Sequence, residues 1–221
     1  MILGTGYDLR IPFLEAGGEL AVTPASRTRD RGLSTNLRYL FPLHEHVFSL
    51  SALYPTNALA FIGLPVLVSN CPSDLAQSVY AAKVIANASL LGPREALLAA
   101  LDEREDDLRS RGYDPYHIGH RMVVEGSDFD YQDRLIEDLK VQGALPDDGV
   151  RFVEPWRREV RGYQYLRRGW KRVEELGLER EWLKGVETEV EWANLMKRLD
   201  AWQEEWKTSQ GVVFPEETTV F

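Results

Sequence analysis

Cysteine is nearly absent from this sequence, since Cys71 is the only one among 221 residues. A single thiol cannot form an intrachain disulfide, which favours a reducing compartment. The sequence also lacks an apolar run close to the ~20 residues that span a bilayer. Asp8 and Arg10 interrupt the N-terminal segment too early for a signal peptide. These absences predict a cytoplasmic protein without a membrane span.

Basic residues are too few for a nucleic-acid-binding surface. Lys and Arg number 26 against 35 Asp and Glu, which gives a net charge of -9, whereas phosphate binding needs a basic face. The clusters Arg157-Arg158 and Arg167-Arg168 alternate with acidic residues such as Glu159, as is typical of a solvated helix face. We therefore expect no nucleic-acid partner. The apolar content of 44% is that of a globular protein with one sizeable core, alone or with a helical appendage.

Motifs for phosphate binding and acyl transfer are also missing. The sequence contains no G-x-G-x-x-G loop: after Gly4-x-Gly6 the third glycine would fall at position 9, where Leu9 stands. A glycine turn that lets the chain leave a sheet, or a plain tight turn, is the interpretation that remains. No G-x-S-x-G segment indicates a serine nucleophile.

Two histidine pairs have spacings that a metal site can use, namely His44 with His46 and His117 with His120. Neither pair is accompanied by carboxylates or cysteines in a ligand pattern. Structural or surface histidines are therefore the favoured interpretation, and no metal is predicted. Cys71 is either a redox thiol or, as we favour, a small buried hydrophobe.

The most organised stretch of the chain is residues 58–87. Its apolar run 58–64 predicts a strand buried on both faces, which Gly63 and Pro65 terminate. Ser73 has the chemistry of an N-cap, so a helix is predicted from the following residue. The predicted apolar face of this helix comprises Leu75, Val79, Ala82 and Ala86. Such a junction of strand, turn and helix is a common ligand position in α/β proteins.

Other segments give weaker signals. Residues 20–23 predict a strand, and the apolar residues 37–53 predict a strand-rich region. A helix is predicted to begin at Pro93, which suits the first helical position, and another to be capped by Ser127. The leucines Leu97, Leu98, Leu101 and Leu108 form the apolar stripe of the first of these helices.

A boundary is predicted at Pro146-Asp147-Asp148-Gly149, because proline and glycine cluster there and the composition then changes. All six tryptophans follow it. Trp192, Leu195, Met196, Leu199, Trp202 and Trp206 recur at helical spacing. A tryptophan stripe of this kind is typical of a helical core or an interface rather than of a cofactor site.

Three stretches, in the right order, resemble the flavin-containing monooxygenase family, especially its fungal branch. Ile2-Leu3-Gly4-Thr5-Gly6-Tyr7 is similar to the family's ATGY segment, with Gly4 in place of alanine. ALAFIGLP, residues 58–65, is followed by a proline-containing loop and a helix that carries Gln77. The third stretch runs from Arg111-Gly112-Tyr113 through His117 to Tyr131. The resemblance covers residues 1–145 and fades after Pro146.

The resemblance implies an α/β fold: an incomplete remnant of a flavoprotein fold with two dinucleotide-binding domains, followed by a mainly α-helical C-terminal region. Residues 1–145 would be the C-terminal part of the FAD- and NADPH-binding region, and residues 146–221 a Trp-rich helical extension. Both glycine fingerprints of the family would lie upstream of Met1. We therefore expect a C-terminal portion, or a shortened relative, of a monooxygenase. On its own, such a chain should bind FAD weakly.

The implied cofactors are FAD and NADPH, and the implied substrate is a small molecule. The resemblance places Thr5, Gly6 and Tyr7 near the nicotinamide nucleotide. It places Phe61, Gly63, Leu64, Pro65, Ser73 and Gln77 near the flavin. The family oxygenates soft nitrogen or sulfur nucleophiles through a flavin hydroperoxide, an intermediate that survives where water is excluded. No single catalytic side chain is predicted.

Two alternatives stay open at this stage. Without the family resemblance, the central stretch is ordinary sheet core. A non-catalytic relative that uses its Trp-rich helical tail to bind a partner, or a second copy of itself, is the competing functional hypothesis.

Overall fold

The computed structural model describes residues 9–23 and 32–211. Internal packing divides the chain into two units, Met1–Phe152 and Val153–Phe221. The domain division after residue 145 stays a prediction, because packing does not show where the relationship to a family ends.

Short strands form the front of the first unit. They are β1 (Leu20–Val22), β2 (Leu33–Thr35), β3 (Leu40–Phe41), β4 (Leu43–His44) and β5 (Phe48–Ser49). β1 pairs in parallel with β2, with Leu20 opposite Leu33, and β2 pairs antiparallel with β3, with Thr35 opposite Leu40. β4 and β5 form a separate antiparallel hairpin. The predictions of a strand in residues 20–23 and of a strand-rich region in residues 37–53 are confirmed.

Helices supply most of the core of this unit. They are α1 (Pro12–Ala16), α2 (Asn70–Ala86), α3 (Arg94–Ser110), α4 (Pro115–Ile118) and α5 (Ser127–Val141). The main hydrophobic cluster joins α2, α3 and α5 to the β4–β5 hairpin, with Tyr80, Val84, Leu135 and Leu139 almost fully buried. A smaller cluster lies against the mixed sheet and contains Leu14, Leu20, Leu33, Leu40 and Leu43.

The apolar run 58–64 is not the doubly buried strand that was predicted. It makes one isolated bridge, from Ala60 to Phe48, and the N–H of Phe61 donates to the carbonyl of Val47 at 2.8 Å. Ile62 and Gly63 are exposed. Among the described residues the run pairs with the hairpin alone, and Leu59, Ala60 and Phe61 are half-buried.

Helix α2 begins earlier than predicted and presents a different face. Ser69 is its N-cap residue and Ser73 lies in its first turn, where Pro72 is tolerated because the first N–H groups of a helix have no intrahelical partner. Leu75 is 56% exposed, so the predicted apolar face was wrong. The buried residues are Ser73, Ala76, Gln77, Tyr80, Ala81 and Val84. Because a serine and a glutamine lie on this buried face, the pattern of apolar residues does not identify it.

The second unit is built from helices. They are α6 (Pro155–Val160), α7 (Leu166–Glu175), α8 (Glu179–Trp182) and α9 (Glu189–Ser209). A capping box between Thr188 and Glu191 starts α9, and α7 packs on α9 with Gly169 against the side chain of Leu199. The helix predicted from the tryptophan spacing is therefore present. No helix in the two described ranges is long and apolar enough to cross a membrane.

Candidate functional site

The backbone bends after the apolar run at Gly63. Its φ of +83° lies in a region that side chains rarely tolerate, which confirms the unusual backbone angle expected of this glycine. A Cβ atom added here would meet only Oδ1 of Asp74, at 3.7 Å. The described residues therefore leave the space beside Gly63 open.

A buried amide fixes this bend to helix α2. The N–H of Gly63 donates to Oε1 of Gln77 at 2.9 Å, and Nε2 of Gln77 donates to Oγ of Ser73 at 3.1 Å. Both side chains are fully buried, and the N–H of Ser73 donates to the carbonyl of Ser69. The structure thus brings together three residues of the predicted site. Their polar groups bind one another, so Ser73 and Gln77 act by positioning the bend.

A cleft of about 370 Å³ opens beside the bend. Its lining consists of Leu9, Leu37, Arg38, Gly63, Leu64, Val66, His120 and Arg121. Volumes of a few hundred Å³ with largely apolar walls are typical of small-molecule sites. Of the predicted site residues, Gly63 and Leu64 line this cleft, whereas Phe61 packs against the smaller core and Pro65 is buried. Thr5, Gly6 and Tyr7 lie outside the described residues.

The β4–β5 hairpin carries a feature that the sequence did not reveal. Its turn residues, Glu45 and His46, both have positive φ, of 48° and 57°, as in the type I′ turns that usually contain asparagine and glycine. Oε2 of Glu45 accepts a hydrogen bond from Arg134 at 2.7 Å, and the carbonyl of Glu45 accepts one from Tyr131. The contacts of Glu45 with helix α5 therefore stabilise a turn whose residues are unfavourable for this turn type.

His46 pairs with His120 inside the first unit. The two Nδ1 atoms lie 2.8 Å apart, and Nε2 of His120 accepts the N–H of Leu40 at 3.0 Å. Burial lowers the pKa of His120 to about 3. Burial, assisted by the positive charges of Arg104 and Arg134, also lowers the pKa of His46 well below its usual value. Both imidazoles are therefore neutral at physiological pH.

This pairing joins one histidine from each of the local pairs considered in the sequence. The partners are 74 positions apart, so local spacing carried no signal for it. The glycine before His120 is an indirect signal of close packing at this point. A Cβ atom added to Gly119 would lie 2.5 Å from the carbonyl oxygen of Arg38. Within the described ranges, no cluster of three side chains could hold a metal ion.

Cys71 does not have the buried position that was expected of it. It is a free, exposed thiol in the first turn of α2. The prediction failed because the turn that was expected there belongs to the helix, and position 71 falls on its solvent-facing side.

Comparisons with known proteins give a consistent relationship. No family model matches the sequence. The chain is 30% identical to flavin-containing monooxygenase FMO GS-OX-like 9 of Arabidopsis thaliana over 156 residues, which are 70% of this chain and 27% of that protein. It is 26% identical to flavin-containing monooxygenase FMO GS-OX-like 2 of the same plant, over 71% of this chain and 28% of that protein. The chain thus spans little more than a quarter of the length of these relatives.

A solved structure shares the fold. The S-allyl-L-cysteine S-oxygenase of Allium sativum aligns with a TM-score of 0.51 and 21% identity, over 93% of this chain and 37% of that one. At this identity the likeness concerns the mixed helix and strand fold alone. The sequence matches, each to a part of a flavin-containing monooxygenase, relate this chain to that family.

Proposed function

We propose that this chain is the C-terminal part of an FAD- and NADPH-dependent monooxygenase that oxygenates soft nitrogen or sulfur atoms of small molecules. The relationship to flavin-containing monooxygenases supports the class of enzyme. The observation that carries the proposal is the Gly63 bend, which Gln77 holds beside an open cleft. This bend lies in one of the three stretches that resemble the family.

The residues around the bend fit one edge of a flavin ring. Gly63 leaves room for a planar group, and Leu37 and Leu64 give the cleft apolar walls that exclude water. Arg38 adds positive charge to the lining. When bound, the flavin supplies the redox chemistry. The sequence offers no glycine-rich loop for the phosphates of FAD, so this chain would hold the ring side of the cofactor.

The start of helix α2 suits an electron-rich ring. Ser69 makes no side-chain hydrogen bond to the first turn, so the first N–H groups of the helix stay available for water or a ligand. The positive end of the helix dipole favours negative charge there. Thr5, Gly6 and Tyr7 would contact the nicotinamide nucleotide, as the family resemblance implies.

The test is a titration of the purified chain with FAD, followed by flavin fluorescence and by NADPH consumption. We expect saturable binding, weakened about tenfold or more by Gly63→Val because the side chain would enter the space of the ring. Gly112→Val is the matched control: Gly112 has a φ of +84° and no atom within 4 Å of an added Cβ. The Gly112→Val substitution strains the backbone similarly, but Gly112 lies outside the cleft lining.

Three results would contradict the proposal. One is a colourless protein that neither binds added FAD nor consumes NADPH. Another is a Gly63→Val variant that binds FAD like the wild-type protein, and the last is a Gly112→Val variant that loses FAD equally.

The alternative of an interaction protein has one observation in its favour. On helix α9, Val190 is 70% exposed and Trp192 is 44% exposed. If this face binds a second copy, Trp192→Ser should lower the mass measured by light scattering while the unfolding curve stays unchanged. A monomeric wild-type protein that binds FAD would favour the enzyme instead.

A further inference from the structure

The hydrogen bonds of the histidine pair fix which nitrogen atoms carry protons. The N–H of Leu40 can only donate, so Nε2 of His120 is an acceptor and the neutral ring carries its proton on Nδ1. That proton is donated to Nδ1 of His46, 2.8 Å away. Neutral His46 therefore carries its own proton on Nε2. The pair is a relay whose last N–H belongs to His46.

This last N–H belongs to a residue that lines a second cleft, of about 240 Å³. His46 lines the cleft although it is only 5% exposed, and its Nε2 has no hydrogen-bond partner within the described part of the chain. The hydroxyl of Ser127 also lies in the lining and is a buried atom without a partner. Two residues whose donor groups find no acceptor among the described residues thus line the same cleft.

The walls of this cleft are positively charged in an otherwise acidic chain. Four arginines line it against two aspartates: Arg104, Arg111, Arg121 and Arg134, with Asp107 and Asp130. Asp107 pairs with Arg111 at 2.9 Å and Arg134 pairs with Glu45 at 2.7 Å. Arg104 and Arg121 make no ion pair with a carboxylate of the described residues, and Nη1 of Arg121 donates to the carbonyl of Ile118 at 3.2 Å.

We propose that this cleft is a binding site for a phosphate group, received by the Nε2–H of His46, the hydroxyl of Ser127 and the guanidinium groups of Arg104 and Arg121. A phosphate offers several acceptor oxygens and matches guanidinium geometry. The cleft is smaller than a typical site for a drug-sized ligand, which suits free phosphate or the head of a phosphomonoester. Because the imidazole of His46 is neutral and carries its proton on Nε2, it can donate to the phosphate without a change of pH.

The carboxylate is the competing occupant, and the donor set decides against it. A carboxylate has two oxygens, which one guanidinium can satisfy. Here, donors come from the β4–β5 hairpin, helix α3, the segment after α4 and the start of α5. Donors on four separate segments fit a tetrahedral group better than a planar one. The proposal does not depend on the monooxygenase function.

The test is calorimetric titration of the full chain with inorganic phosphate, glycerol 3-phosphate and acetate at constant ionic strength. We expect saturable phosphate binding that Arg104→Gln weakens about tenfold or more, because one charge-assisted contact is lost. Ser127→Ala should weaken it by a smaller factor. Arg151→Gln is the matched control, since Arg151 is an exposed arginine of the same unit that does not line this cleft. The two phosphate probes distinguish free from esterified phosphate.

The outcomes separate cleanly. Binding that falls in Arg104→Gln and persists in Arg151→Gln supports the site. Absence of saturable phosphate binding, or equal weakening by both substitutions, would overturn it. Acetate binding as tight as phosphate binding would overturn the assignment to phosphate. Arg104 is partly exposed, so Arg104→Gln should fold, and a coincident unfolding curve checks this.

Discussion

The two units of the chain differ in how they treat polar groups. In the first unit, buried polar side chains bind one another, as Gln77 does with Ser73 and His46 with His120. In the second unit, several charged side chains lie at the surface or over aromatic rings, as Arg172 does over Trp202 and Trp206. Buried polar networks specify one geometry and are costly to break. The first unit therefore depends on specific pairings of buried polar groups, whereas the second depends mainly on packing between amphipathic helices.

The largest expected effect comes from a glycine in the first unit. In Gly119→Ala, the new Cβ would lie 2.5 Å from the carbonyl oxygen of Arg38 at a φ of +65°. The clash is with backbone, which cannot move aside alone, so we expect the free energy of unfolding to fall by about 3 kcal/mol or more. Urea denaturation followed by circular dichroism measures this.

Gly169 in helix α7 is the matched glycine of the second unit. An added Cβ would meet side-chain atoms of Leu199 at 3.1 and 3.2 Å, and these can shift. Alanine also favours the helix by roughly 0.5–1 kcal/mol. We expect Gly169→Ala to change stability by no more than about 1 kcal/mol. Equal losses at both glycines would contradict the contrast between the units.

Acid should weaken the first unit through its histidines, because all four histidines of the sequence lie there. The pKa values of His46 and His120 are lowered in the folded protein, so below about pH 6.5 the unfolded chain binds protons that the folded chain does not. Stability is then lost as the pH falls from about 6.5 towards the folded pKa values, by roughly 1.4 kcal/mol per pH unit for each histidine.

Urea denaturation at about pH 7.5 and about pH 5.5 measures this loss. His46→Gln should reduce the pH dependence of the unfolding free energy. The exposed His117→Gln is the control, and its curves should follow those of the wild-type protein. A stability that rises on acidification would show that the histidine pair is not neutral in the folded state.

Gln77→Ala should have an intermediate effect. It leaves the part-buried N–H of Gly63 and the buried hydroxyl oxygen of Ser73 without their partner, which costs roughly 1–3 kcal/mol for a buried polar group. We also expect weaker FAD binding, because the bend is no longer fixed. Ser78→Ala, on the exposed side of the same helix, is the control for both measurements. Unchanged FAD affinity in a folded Gln77→Ala variant would argue against a positioning role.

The smallest effect is expected at the stacked arginine of the second unit. Arg172 lies 3.9 Å from the ring centroid of Trp202 and 4.6 Å from that of Trp206, and such contacts contribute about 0.5–2 kcal/mol. Its neighbour Lys171 pairs with Glu175 at 3.7 Å on the exposed face, where ion pairs contribute about 0–1 kcal/mol. Arg172→Gln should therefore lower the thermal midpoint more than Lys171→Gln.

Much of the local structure followed from the sequence. The strand in residues 20–23, the helix that carries the tryptophans and the positive φ of Gly63 were all predicted from residue type and spacing. The start and the buried face of α2 were predicted wrongly, because its interior contains Ser73 and Gln77. Apolar periodicity reports burial only where the buried residues are apolar.

The candidate site was predicted in part. The resemblance pointed to Gly63, Ser73 and Gln77, and the structure shows how they are joined by hydrogen bonds. Neither cleft was predictable, because their walls come from distant segments. Arg38 and Arg121 meet beside Gly63, although neither stood out in the sequence.

The sequence by itself determined the helical tail, the glycine bend and the relationship to a family, because these depend on local residue chemistry and on matched motifs. Only the tertiary structure decided the proton positions of His46 and His120 and the gathering of arginines around them. Those properties depend on groups that lie far apart in the chain. These groups have no regular spacing in the sequence, and only folding brings them within hydrogen-bond distance.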